Sequence, residues 1–297
     1  MGFDLQEYLA ERRKLVDDAL ERFLPPDDAP PPTVHRAMRY SVMAGGKRLR
    51  PILVIAGAEA VGAAPETALP TACALEMIHT YSLIHDDLPA MDDDDYRRGR
   101  PTSHKVFGEA MAILAGDALL TLAFRLIAEN AALVRDPRVV CEVVAEVAAA
   151  AGTEGMVGGQ VVDIESEGKT VTAGTLDYIH THKTAALIRA SLRAGARLGG
   201  AAPDALAAVT TAGDRLGLAF QIVDDILDVE GSLAELGKTA GSDERKQKAT
   251  YPAVHGLDAS RRRARALIHE AKTALAPLGR AAAPIEALAD FIFERRS

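Results

Sequence analysis

Two runs of aspartate carry the most chemistry in this chain of 297 residues: HDDLPAMDDDD at 85–95 and FQIVDDILD at 220–228. Gaps of three and four residues return to one face of a helix. His79, Ser82 and Asp86 therefore share a stripe, and so do Gln221, Asp224 and Asp228. Both stripes lie in apolar segments, where a carboxylate is costly to bury unless it is paired or bound to a metal. Adjacent aspartates also repel one another, which calls for a compensating cation. Donors that are all oxygen suit Mg²⁺ better than Zn²⁺ or copper. Asp93, Asp94 and Asp95 read equally well as solvated acids. The run is no EF-hand, since it lacks alternating acids and a central glycine.

Mg²⁺ held by carboxylates commonly faces phosphate oxygens, and the chain supplies cations to match. They occur in GGKRLRP at 45–51, RRGRP at 97–101, HKT at 182–184, GKTAGSD at 237–243 and KATYP at 248–252. Arginine grips phosphate with a planar fork and lysine acts as a point charge. Singly, each cluster reads as solvated surface or as the cationic end of a helix. Their combination with two acidic runs is what points to a diphosphate. The glycine-rich piece lacks P-loop spacing. His180 and His182 are two apart, share no helical face, and read as non-metal residues.

The elements that must position these groups are helical. Aromatic residues make up only 4% of the chain, Trp is absent, and alanine and leucine abound, which favours helix over strand. Periodicity predicts helices near 5–23, 33–44, 50–61, 66–87, 104–130, 136–164, 173–198, 203–230, 258–276 and 283–295, with joints rich in Gly and Pro. No strand or hairpin signal stands out. The apolar pattern runs without a long linker, so one domain over residues 1–297 is expected. The net charge of −8 argues against general nucleic-acid binding. Nine of the 42 acids lie in the two runs, so much of that charge belongs to the expected metal site. Cys73 and Cys141 are too few for a disulfide framework. No uncharged apolar run of about 18 residues is present, and no signal-peptide or lipidation pattern is found. No membrane span and a cytoplasmic location are the expectations.

These motifs resemble the trans-type isoprenyl diphosphate synthases. The match adds GDALL at 116–120 and GGQVVDIE at 158–165 to the segments above, and it spans nearly the whole chain in order. The resemblance implies an all-α fold, a single large antiparallel helical bundle around a central cavity, and a homodimer. It implies head-to-tail condensation of an allylic diphosphate with isopentenyl diphosphate. By resemblance, Asp86, Asp87, Asp92, Asp224, Asp225 and Asp228 hold three Mg²⁺ on the allylic diphosphate, which Arg97, Lys183, Lys238 and Lys248 also contact. Lys47, Arg50, His79 and Arg98 hold isopentenyl diphosphate. Lys183, Thr184 and Gln221 present oxygens or charge near the reacting carbons. Tyr81, with Ser82 beside it, forms a floor that stops the product at fifteen carbons, as in farnesyl diphosphate synthases. Geranylgeranyl diphosphate synthesis is the alternative product reading. A class I terpene cyclase fits the second motif DDILD poorly, and a non-catalytic partner subunit would not need to retain every aspartate.

Overall fold

A computed structural model describes residues 3–230 and 250–294. Helix α1 (Leu5–Phe23) starts on Asp4, whose carboxylate accepts from the N–H groups of Gln6 and Glu7. Such a cap satisfies first-turn amides that have no helical partner. Prolines between 25 and 32 end it, and α2 (Pro32–Val42) begins on one of them. Then come α3 (Leu49–Glu59), α4 (Leu69–Asp86), a two-stranded hairpin of β1 (Tyr96–Arg97) and β2 (Arg100–Pro101), α5 (Ser103–Phe107) and α6 (Glu109–Glu129). The chain continues through α7 (Arg138–Ala151), α8 (Met156–Ser166), α9 (Ala173–Ile179), a π-helical segment (His180–Ala185), α10 (Ala186–Leu198) and α11 (Pro203–Glu230). After the undescribed stretch follow α12 (Tyr251–His255), α13 (Leu257–Leu275) and α14 (Ala283–Glu294).

The fold is all-α, as expected, with four departures in detail. The helix expected over 104–130 breaks at Gly108, whose φ of +84° lies in the left-handed region. The one expected over 136–164 breaks between Ala151 and Met156. The stretch 173–198 is continuous but contains the π segment. A hairpin and the short α12 appear where no element was expected. In the hairpin, Arg98 and Gly99 both take positive φ, the geometry of a two-residue turn that usually announces itself as Asn-Gly.

Helices α3 and α10 form the central wall. They run parallel, because Gly195 meets Val54 and Ala58 while Gly199 meets Ala58 to Ala63. A Cβ at Gly57 or Gly195 would strike the facing backbone, so glycine is what permits this approach. One side of the wall joins a core with α4, α6 and α7, including Leu75, Ile78, Leu119 and Val143. The other side joins a core with α11, α13 and α14, including Leu216, Ile222, Leu267 and Leu288. α4 turns back along α3, and α11 turns back along α10, where Gly213 meets Arg189 and Gly217 meets Ala185. The C-terminal ends of α4 and α11, each bearing an aspartate run, thus emerge at the end of the wall where α3 and α10 begin.

The segment Glu109–Ala132 is long and apolar enough to cross a bilayer, with mean hydropathy 1.8. Asp117 and Arg125 interrupt it, so a test for uncharged runs passes over it. In the fold it packs against α4 and α2, and 39% of its apolar window is buried.

Candidate active site

The loop after α4 folds back on the helix end. The N–H of Asp92 donates to the Asp86 carbonyl at 2.8 Å, and that of Asp94 to the Asp87 carbonyl at 3.2 Å. Asp86 and Asp92 are thereby neighbours despite a six-residue gap. Asp87, expected among the metal ligands, has a protein partner. It is 3% exposed, and its Oδ1 accepts from Arg97 Nε at 2.6 Å. Burial pushes this carboxyl up to about 6 against the pull of Arg97, with Asp94 and Asp86 adding to the rise. Arg97, expected on the allylic diphosphate, also reaches Asp94 at 3.3 Å, so it ties the acidic loop together. Asp95 is taken up by Lys105 at 2.7 Å.

On α11 the same division recurs. Asp225 was expected among the metal ligands, but both of its oxygens have protein partners. Oδ1 accepts from Gln221 Nε2 at 2.9 Å, and Oδ2 accepts from the Tyr251 N–H at 2.7 Å and lies 3.3 Å from His180 Nε2. Its side chain turns inward because α12 packs there. Asp224 and Asp228 lie on the other stripe. Asp228 is 7% exposed, and its Oδ1 is buried with no hydrogen-bond partner among the described residues.

The π segment positions the remaining groups. Thr184 Oγ1 donates to Gln221 Oε1 at 2.7 Å, continuing a chain of contacts through Asp225 to Tyr251. Lys183 Nζ donates to Asp163 Oδ2 at 2.6 Å. A Cβ on Gly159 would fall on the Lys183 backbone, so α8 can press against the π turn only through glycine. Sequence reading gave no role to Asp163, His180 or Tyr251, although an acid inside the apolar run VVDI was a visible signal. Lys238 and Lys248 lie outside the described residues, as do Arg295 and Arg296.

A third group is cationic. Arg98 donates to the Gly45 carbonyl, closing the hairpin onto the turn that carries Lys47. His79 is held well below the usual histidine range by burial and by Arg50, Arg98, Arg97 and Arg48. It is therefore neutral at neutral pH. Unfolded, it returns to about 6.5. Below that value the unfolded chain takes up a proton that the folded site refuses, so stability is full above it and falls as pH drops through it. His79→Gln should flatten the fall in Tm between about pH 7 and pH 5; parallel Tm profiles for the two proteins would refute this. Nearby, Ser82 Oγ donates to the His79 carbonyl at 2.9 Å. Tyr81 is buried, with its ring edge-on to His85 at 5.7 Å.

A model of the polyprenyl synthetase family matches residues 31–280. The chain belongs to the polyprenyl synthetase family. It is 52% identical to a farnesyl diphosphate synthase of Geobacillus stearothermophilus over 253 residues, covering 85% of each chain. It is 48% identical to a geranylgeranyl diphosphate synthase of Cyanophora paradoxa, covering 100% of this chain and 98% of that one. Among solved structures, a geranylgeranyl pyrophosphate synthetase of Pyrococcus horikoshii superposes with a TM-score of 0.88 at 34% identity, covering 98% and 99%. The polyprenyl synthetase described here is thus a prenyltransferase of the farnesyl and geranylgeranyl diphosphate synthase type with an isoprenoid synthase fold.

The donors of this synthase fit Mg²⁺ in a particular way. No three acidic, histidine or cysteine side chains among the described residues converge on one point. Mg²⁺ is commonly held by one or two carboxylates together with substrate phosphates and water. Asp86 and Asp92, which the loop's backbone hydrogen bond brings together, and the Asp228 oxygen with no partner among the described residues suit that mode and not an all-protein cage.

Proposed function

We propose that this synthase condenses isopentenyl diphosphate with dimethylallyl and geranyl diphosphate to give farnesyl diphosphate, with three Mg²⁺ in the site. The observation that carries the metal site is the buried Asp228 oxygen with no partner among the described residues, beside Asp224 on the face that Asp225 vacates. Asp86, Asp92, Asp224 and Asp228 hold the ions, while Asp87 and Asp225 brace Arg97 and Gln221. Bound Mg²⁺ neutralises charge that develops on the departing diphosphate. Lys183 and Arg97 meet the same diphosphate, and Lys238 and Lys248 are assigned to it by resemblance. Lys183 is kept oriented by Asp163 until substrate arrives.

The Thr184 and Gln221 oxygens face the allylic cation as dipoles. Preorganised dipoles stabilise a cation at little reorganisation cost, and a hydroxyl and an amide are weak nucleophiles. Lys47, Arg50, His79 and Arg98 hold isopentenyl diphosphate. Its proton leaves to the released diphosphate, since no dedicated base stands out among the described residues. Residues 1–297 act as one catalytic unit, because the site draws on both α4 and α11. Exposed Ile113 and Leu114 on α6, and Val157, Val161 and Ile164 on α8, offer apolar stripes to a second copy. We place the homodimer in the cytoplasm.

The test is incubation with Mg²⁺, isopentenyl diphosphate and each allylic primer, followed by sizing of the products. Condensation to fifteen carbons is expected. Products of twenty carbons would move the assignment to geranylgeranyl diphosphate synthesis, and no Mg²⁺-dependent condensation would overturn it.

A further inference from the structure

The turn that carries Lys47 and Arg50 is fastened by the residue between them. Arg48 sits at the start of α3 with φ of +51°, a conformation disfavoured for a residue with a Cβ. It is nevertheless 3% exposed. Its Nε donates to Asp17 Oδ1 on α1 at 2.8 Å, its Nη1 to Glu76 Oε1 on α4 at 2.7 Å, and its Nη2 to the Val42 carbonyl ending α2 at 2.8 Å. One guanidinium therefore pins three helices to the start of a fourth. Only arginine offers donors in so wide a rigid fork. The sequence groups Arg48 with the diphosphate-binding cations, but its nitrogens point into the protein.

Glu76 is 1% exposed, and its charge reaches beyond Arg48. Burial lowers the Arg50 guanidinium, Glu76 works against that, and Arg98 lowers it further. The same pattern holds for Arg98: burial lowers it, Glu76 opposes, and Arg48 and Arg97 add to the lowering. One buried carboxylate thus pairs with Arg48 and acts electrostatically on Arg50 and Arg98, with His79 one helical turn along from it. Arg50 Nε is buried with no partner among the described residues, the state of a donor that waits for an anion. Without Glu76 the cluster loses its buried counter-charge, and Arg48 keeps only Asp17 and the Val42 carbonyl as partners.

We propose that Glu76 and Arg48 form a permanent ion pair that sets the geometry of the isopentenyl diphosphate pocket, as positioning residues that do not touch the substrate. This rests on the reading of Lys47, Arg50 and Arg98 as that pocket. Glu76 holds the arginines in register before the diphosphate binds, and Arg48 fixes where Lys47 and Arg50 leave the backbone. Glu76 is also a negative charge near an anion site, so positioning and simple electrostatics give opposite signs. Loss of the charge alone would tighten diphosphate binding, whereas loss of the geometry weakens it.

The experiment compares Glu76→Gln and Asp17→Asn with the parent enzyme. It measures KM for isopentenyl diphosphate at saturating geranyl diphosphate, KM for geranyl diphosphate at saturating isopentenyl diphosphate, and Tm. Glu76→Gln should raise the first KM about tenfold or more and Asp17→Asn about threefold, with the second KM within about twofold of the parent. Calorimetric titration with isopentenyl diphosphate alone should show the same weakening. An unchanged or lowered KM for isopentenyl diphosphate overturns the proposal, and so does a parallel rise of both KM values as Tm falls. Should Glu76→Gln fail to fold, Asp17→Asn and Arg48→Lys carry the test with the same expected sign. A rise confined to geranyl diphosphate would overturn the assignment of the pocket as well as the proposal that rests on it.

Discussion

Asp228→Asn is expected to raise the Tm of the metal-free synthase by about 2 °C while lowering turnover by roughly a hundredfold or more. The two effects have one cause. Asp228 is 7% exposed near the end of α11, and its Oδ1 is buried without a partner among the described residues. A carboxylate oxygen so placed costs stability, because burial removes water and no described residue replaces it. An amide of the same shape carries no charge and escapes most of that cost. Yet the amide cannot compensate a divalent cation, so the charge that assists diphosphate departure is lost. Ligand linkage gives a second readout. A ligand present at about a hundred times its Kd stabilises the folded state by about 2.7 kcal/mol. Mg²⁺ with inorganic pyrophosphate should therefore raise the Tm of the parent and leave that of Asp228→Asn nearly unmoved. A variant that is less stable without metal and still responds to Mg²⁺ with pyrophosphate would remove Asp228 from the metal site.

The legible parts of this protein are those set by local period. Helix α11 declares itself through apolar spacing, and Gln221, Asp224 and Asp228 fall on one stripe by the same arithmetic. What the sequence hides depends on chain that returns from far away. Asp86 and Asp87 are adjacent and chemically identical, yet Arg97 takes the second. Asp225 differs from Asp224 only because the Tyr251 N–H arrives from α12. The π turn inserts no unusual residue; it fits the place where Gly159 of α8 meets the Lys183 backbone. Arg48 is the clearest case. It stands in the cationic segment GGKRLRP with no role of its own, and only the positions of Asp17, Val42 and Glu76 show that it turns inward. Spacing identifies which residues share a face, but groups arriving from distant chain decide how each of two adjacent carboxylates is bonded.

Tyr81→Ala should convert the enzyme from a fifteen-carbon product to longer ones. Tyr81 lies five residues before Asp86 on α4, about 7.5 Å down the helix axis from the metal end. Its ring is buried and edge-on to His85. Burial, with the charge of Asp86, raises the phenol above its ordinary value, so the group stays neutral and apolar in character across the working range. Truncation to alanine leaves a cavity, and losing a buried aromatic costs about 3–5 kcal/mol where the surroundings do not collapse. An apolar cavity of this kind stays dry and accepts hydrocarbon. The growing prenyl chain is the hydrocarbon at hand, and each further five-carbon unit that enters recovers part of the lost contact. The variant should therefore be less stable alone, regain stability with a long prenyl diphosphate bound, and release products of twenty carbons or more. Tyr81→Phe keeps the volume and should keep the parent product, which separates the size of the ring from its hydroxyl. Farnesyl diphosphate as the sole product of Tyr81→Ala would show that the floor of the pocket is built elsewhere.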